Sequence, residues 1–201
     1  FKSLMNEVLS RWTPLAIYRV ENGMTVEADS IYLIPQKKEM VISGGKLLLT
    51  DKDPDASLTL PIDHFFRSLG QDCGRQAIAI VLSGTGSDGS RGIIDVHEAG
   101  GLVIVQSEST AKFDGMPRSA RESGATDLHL APEEIPDALT GYLQDPRISS
   151  TSEALDNSSL NETGLKKVFT LIRDGYGLDF SHYKLNTVVR RTERRLVLSK
   201  I

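Results

Sequence analysis

The 201-residue sequence predicts an α/β fold: a mainly parallel sheet with helices on both faces, followed by a small all-α segment. Three observations predict it. Short apolar runs at 77–82, 102–106 and 127–130 read as buried strands. Helical stretches near 89–99 and 117–123 separate them, and this alternation yields parallel strands under helices. Beyond a polar, Ser-rich stretch at 149–159, only helical spacing remains.

The elements follow in order. Phe1, Leu4, Met5, Val8, Leu9 and Trp12 form a helical stripe with no capping residue before it. Residues 15–20, 31–34, 40–43 and 46–50 read as strands. Gly44-Gly45 is a two-residue hairpin signal, so at least one strand pair is antiparallel. Residues 60–73 read as a helix with Pro61 near its start. Pro132-Glu133-Glu134 opens another, with acids in the first turn where the helix dipole favours them. Residues 160–173 and 181–198 read as two further helices. The last stripe (Leu185, Val188, Val189, Thr192, Leu196) has no stop signal, so both ends are expected to continue in a longer parent. The expected organisation is a domain over 1–145, a polar linker over 146–160 and the start of a helical domain over 161–201.

Composition narrows the function classes. Hydrophobic residues at 39% and charged residues at 25% fit a soluble globular chain. No apolar run approaches the roughly 20 residues of a membrane span, and no basic-then-apolar leader opens the chain. Membrane insertion is not expected, and the expected compartment is the cytoplasm. The single Cys73 excludes an intrachain disulfide and reads as a buried, inert thiol. No Cys/His cluster has metal-ligand spacing, so no metal is expected. Nine Lys/Arg against three Asp/Glu in 163–201 give +6; the whole chain is −4, so residues 1–162 carry −10. That acidic body argues against nucleic-acid binding.

The most informative stretch is Ser83-Gly84-Thr85-Gly86-Ser87-Asp88-Gly89, between a strand and a helix. Its glycines, Gly84, Gly86 and Gly89, let the backbone turn sharply and approach a ligand. Asp88 lies where open α/β sheets place their chemistry. Gly84-x-Gly86-x-x-Gly89 formally matches a dinucleotide fingerprint, with Glu108 near the offset of a ribose-binding acid. An acid inside a pyrophosphate cradle opposes that reading. Asp88 also fits the acid of a Ser-His-Asp site, or a turn residue capping a helix. His64, in a helix with Phe65 and Phe66, reads as a packed or surface histidine. Ser83 and Ser87 read as loop hydrogen-bonders. His97, His129 and His182 have no constellation around them.

Pro61-Ile62-Asp63-His64-Phe65-Phe66-Arg67-Ser68-Leu69, the Ser83–Gly89 loop, Glu98-Ala99-Gly100-Gly101, Val105-Gln106 and Asp114-Gly115-Met116-Pro117-Arg118-Ser119-Ala120 occur in that order. Together they closely resemble the catalytic domain of the CheB-type chemotaxis protein-glutamate methylesterases. Tyr32-Leu33-Ile34-Pro35 and Gly44-Gly45-Lys46-Leu47 also match, and the resemblance covers about residues 1–143. It implies a Ser-His-Asp mechanism on receptor glutamate methyl esters, with Asp88 as the acid and the Thr85 backbone N–H in the oxyanion hole. Met116 would stand at the site's rim. Thr85 replaces the usual Met, as in proteins fused to a methyltransferase. The nucleophilic Ser and the His base, which the family carries earlier in its sequence, are not in this chain. The chain alone is therefore expected to be inactive.

Gly177-Leu178-Asp179-Phe180-Ser181-His182-Tyr183-Lys184 and Thr187-Val188-Val189-Arg190-Arg191-Thr192-Glu193-Arg194-Arg195 resemble the N-terminal helical region of the CheR-type receptor methyltransferases. That resemblance implies that Arg190, Arg191, Arg194 and Arg195 dock an acidic methyl-accepting chemoreceptor. S-adenosylmethionine would bind in the domain that follows, and no cofactor is expected in this chain. Two other readings stand beside this one: a catalytically silent receptor-binding adaptor, and a Rossmann-like nucleotide-binding module.

Overall fold

The computed structural model describes residues 4–52, 59–144 and 162–178, with positions 188, 192 and 196. The chain divides into two compact units, Phe1–Pro132 and Glu133–Ile201. The first carries the α/β pattern. It opens with helix α1 (Met5–Leu9), which buries none of its residues. The helix ends at Leu9, short of the stripe over 1–12, and residues 10–12 continue as a turn.

Strands β1 (Ala16–Arg19) and β3 (Ser30–Leu33) pair in parallel, Ala16 opposite Ser30. The rings of Tyr18 and Tyr32 stack across this pair, 5.7 Å between centroids. Strands β4 (Lys38–Ser43) and β5 (Lys46–Asp51) form the expected hairpin. Gly44 and Gly45 both have positive φ, 58° and 70°, which a tight turn matched to strand twist requires. A two-residue strand, β2 (Met24–Thr25), adds to β5 in antiparallel sense. Val20, Met40, Ile42 and Leu47 form the core of this part.

Helix α2 (Pro61–Cys73) starts with a proline, whose missing N–H costs nothing in a first turn. It packs on β4 and on helix α3 (Gly92–Glu98). The Ile42 N–H donates to Ser68 Oγ at 3.0 Å. Asp72 accepts the hairpin amides of Gly44 and Gly45 at 2.5 and 3.0 Å. At the α2–α3 crossing, a Cβ on Gly92 would stand 2.6 Å from the Asp63 carbonyl oxygen, so only glycine fits.

Strands β6 (Ile78–Val81), β7 (Leu102–Gln106) and β8 (Leu128–Leu130) form a parallel sheet in that order. All five residues of β7 are buried, so both of its faces are covered. Val81, Ile93, Val96, Val103, Val105 and Ala120 gather on one side as a single core cluster. Helix α4 (Gly115–Glu122) contributes Ala120. The α/β class with parallel strands is thus observed, and the strands are distributed over three small sheets.

In the second unit, a 3₁₀ turn leads into helix α5 (Ile135–Leu143), and helix α6 spans Glu162–Tyr176. Gly177 closes α6 with φ 70° and an N–H donated to Arg173 O. The expected linker over 146–160 lies outside the described residues, as does most of the helix expected over 181–198.

Candidate active site

Parallel strands bring their carboxyl ends to one edge, so the loops after β6 and β7 meet there. Ser83 holds them together. Its hydroxyl accepts the Phe113 N–H at 3.0 Å, while the Gly84 N–H donates to Phe113 O at 2.9 Å. The Ser83 N–H donates to Oε1 of buried Gln106 at 2.8 Å. Ser83 therefore serves to build the loop, in line with its sequence reading.

Met116 lies over Gly84: a Cβ there would collide with the Met116 sulfur. The Met116 N–H donates to Gly84 O at 2.9 Å. The expected rim residue thus touches the site loop. Gly86 and Gly89 have φ of 86° and 91°, the left-handed region that favours glycine. Thr85 is exposed, and among the described residues nothing accepts a hydrogen bond from its N–H.

Asp88 is half-buried at the amino end of α2. Its two carboxylate oxygens accept the Ile62 N–H at 3.1 Å and the Asp63 N–H at 3.0 Å. The carboxylate thus meets the positive end of the α2 dipole and two of its otherwise unpaired donors. Each oxygen keeps a second lone pair that can accept an imidazole N–H.

Asp63 makes the reciprocal contact, and sequence reasoning missed it. Its Oδ1 accepts the Arg91 N–H at 3.0 Å and the Gly92 N–H at 2.7 Å, capping α3. Asp63 is only 3% exposed, and its Oδ2 is buried with no hydrogen-bond partner among the described residues. Asp88 thus anchors the start of α2, which carries Asp63, and Asp63 anchors the start of α3, which follows the Asp88 loop.

These contacts bear on the nucleotide reading. The first amides of α3, where a pyrophosphate would bind, already serve Asp63. Glu108, the expected ribose acid, pairs with Arg121 at 2.5 Å and Arg118 at 3.5 Å. The glycine spacing here builds a helix crossing and a turn, not a phosphate cradle.

No described histidine joins Asp88. His64 pairs with Glu39 at 3.0 Å on the surface. His97 faces Asp127 at 3.4 Å, and His129 is exposed on β8. His182 and the four arginines Arg190, Arg191, Arg194 and Arg195 lie outside the described residues. Burial, and to a smaller extent the Asp72 charge, push the Cys73 thiol pKa up, which suits an inert packing residue. Among the described residues no group of His, Cys, Asp and Glu could hold a metal. Nor is any helix there long and apolar enough to cross a membrane.

Comparison with known proteins identifies relatives of this fold and sequence. A family model described as CheB methylesterase matches residues 1–139, and one described as CheR methyltransferase, all-alpha domain, matches 163–201. An uncharacterized 104.1 kDa protein in the hypE 3′ region of Rhodobacter capsulatus is 36% identical over 98% of this chain and 23% of its own length. A protein-glutamate methylesterase/protein-glutamine glutaminase of Anaeromyxobacter dehalogenans is 32% identical over 69% of this chain and 42% of its own length. The chain thus spans less than half of either relative. The Thermotoga maritima CheB methylesterase catalytic domain superposes with a TM-score of 0.59 at 28% identity, covering 66% of this chain and 72% of that one. With matching fold and family model, this chain belongs to the CheB methylesterase family.

Proposed function

We infer that this chain supplies the acid and an oxyanion donor of a cytoplasmic esterase acting on glutamyl methyl esters of chemoreceptors. The single observation that carries this is Asp88, fixed by two backbone amides of α2 at the carboxyl edge of the parallel sheet. A carboxylate pinned there can set one imidazole in one orientation and balance its positive charge. The serine and histidine come from residues that precede this chain in the whole protein. The serine oxygen attacks the ester carbonyl, the histidine takes its proton, and methanol leaves with that proton. Water then releases the glutamate. The Thr85 N–H, which has no acceptor among the described residues, suits the oxyanion, and a main-chain donor is indifferent to the Thr side chain. No cofactor is needed for these steps.

The boundaries 1–145, 146–160 and 161–201 belong to the same proposal. The last part begins a receptor methyltransferase domain. Arg190, Arg191, Arg194 and Arg195 there meet the acidic receptor, and S-adenosylmethionine binds further on. The charge of +6 over 163–201 supports this half.

The deciding experiment is Asp88→Asn in the whole protein. Asn keeps an acceptor for one α2 amide but cannot balance an imidazolium. Turnover of a methylated receptor should fall about 10⁴-fold while the fold is retained. A loss below about tenfold would remove Asp88 from the triad.

A further inference from the structure

Beside the first turn of α2 lies a groove of about 350 Å³. Its floor is apolar, with Ile34, Met40 and Ile62, and Lys37, Lys38 and Lys52 stand around it. Lys38 is paired with Asp51 at 2.6 Å and adds little net charge. Among the described residues no carboxylate pairs with Lys37 or Lys52. Two lysines that pair with no described carboxylate stand over an apolar floor on a body, residues 1–162, whose net charge is −10. Ile62 joins the groove to the candidate site: its side chain lines the groove and its N–H donates to Asp88.

The geometry points to one occupant, the acidic polypeptide segment that carries the ester. This rests on the esterase reading and adds how the substrate is held. The ester itself is uncharged, so Lys37 and Lys52 recognise the free carboxylates beside it. The floor takes the segment's apolar side chains. A chain seated there arrives at Asp88 past Ile62. Binding therefore weakens as neighbouring glutamates become esterified or amidated, and sparsely methylated segments are preferred.

The test is equilibrium binding to the 201-residue chain, read by fluorescence anisotropy. The probe is a short labelled helical peptide of glutamates and leucines with one glutamate as its methyl ester. Its partner replaces the free glutamates with glutamine. The glutamate peptide should bind more tightly, and Lys37→Glu with Lys52→Glu should weaken it about tenfold at low salt. The loss should shrink at high salt, because exposed charges are screened. Lys→Arg at both sites should retain binding, and Ile34→Ser should weaken both peptides at every salt concentration. Equal affinity for the two peptides, or a charge reversal that changes affinity less than about twofold, overturns the proposal. No turnover is involved, so the result is separate from the Asp88→Asn experiment. If that variant stays active in the whole protein, the esterase assignment falls while peptide binding in the groove is still read directly.

Discussion

The parallel β6–β7–β8 sheet and the antiparallel β2–β5–β4 ribbon bury their residues differently. Every residue of β7 is buried, and Leu102, Val103 and Ile104 are fully inaccessible. The ribbon buries Met40, Ile42 and Leu47, while Leu48 stays 36% exposed. The Asp88 loop leaves β6, which pairs along its whole length with the enclosed strand β7. The ribbon buries one face only, and the lysine-edged groove takes Lys38 and Met40 from that same covered face, at its edge beside α2. The lesson is a difference in enclosure: the parallel sheet has a central strand sealed on both sides, while the ribbon is sealed on one.

Substitution can break that comparison. Ile104→Ala should cost about 3–4 kcal/mol, since it removes most of a fully buried side chain. Leu48→Ala should cost less than about 1 kcal/mol, because much of that side chain is already in water. Urea denaturation of both variants measures the difference; equal losses would mean that the ribbon packs no more loosely than the sheet. Asp63→Ala should cost about 1–2 kcal/mol by uncapping α3. Hydrogen exchange should then accelerate at the Arg91 and Gly92 amides and leave Gly44 and Gly45 unchanged. Asp63→Asn should restore most of the protection.

The smallest effect sharpens the comparison, because Cys73 packs against the core clusters of both regions. Its thiol pKa is raised in the folded state. The folded chain therefore holds that proton at pH values where the unfolded chain has lost it. Stability from this group is present below the ordinary thiol range and falls as pH rises through it. Cys73→Ala should flatten that alkaline slope in urea midpoints taken across the range.

Much of this was legible in one sequence. The strand over Leu102–Gln106 was readable because continuous burial leaves a continuous apolar run. The β4–β5 hairpin was readable because two adjacent glycines serve a turn with positive φ. The site loop was readable as a loop, and its carboxylate as unusual there. Other features left no local trace. Strand β2 has two residues and no period. Helix α3 begins at Gly92 rather than 89, because Ser87 O accepts the Ser90 N–H in a preceding turn. Asp63 reads locally as an acid in the first turn of its own helix. Its contact to Arg91 and Gly92 lies 28 and 29 residues away in sequence. Glu108 stood at a plausible offset for a ribose, and only the fold brings Arg118 and Arg121 to it.

The fastenings along α2 have a consequence for how such a chain can change over generations. Asp63 near its start holds α3, while Ser68 and Asp72 further along hold the hairpin. One residue added or lost between them turns everything beyond it by about 100°. A deletion there would unseat one set of contacts or the other, however mild the residue removed. Length variation among descendants is thus barred from this helix and confined to the connecting loops. A count of residues between Asp63 and Asp72 should stay constant where the amino acids themselves have drifted.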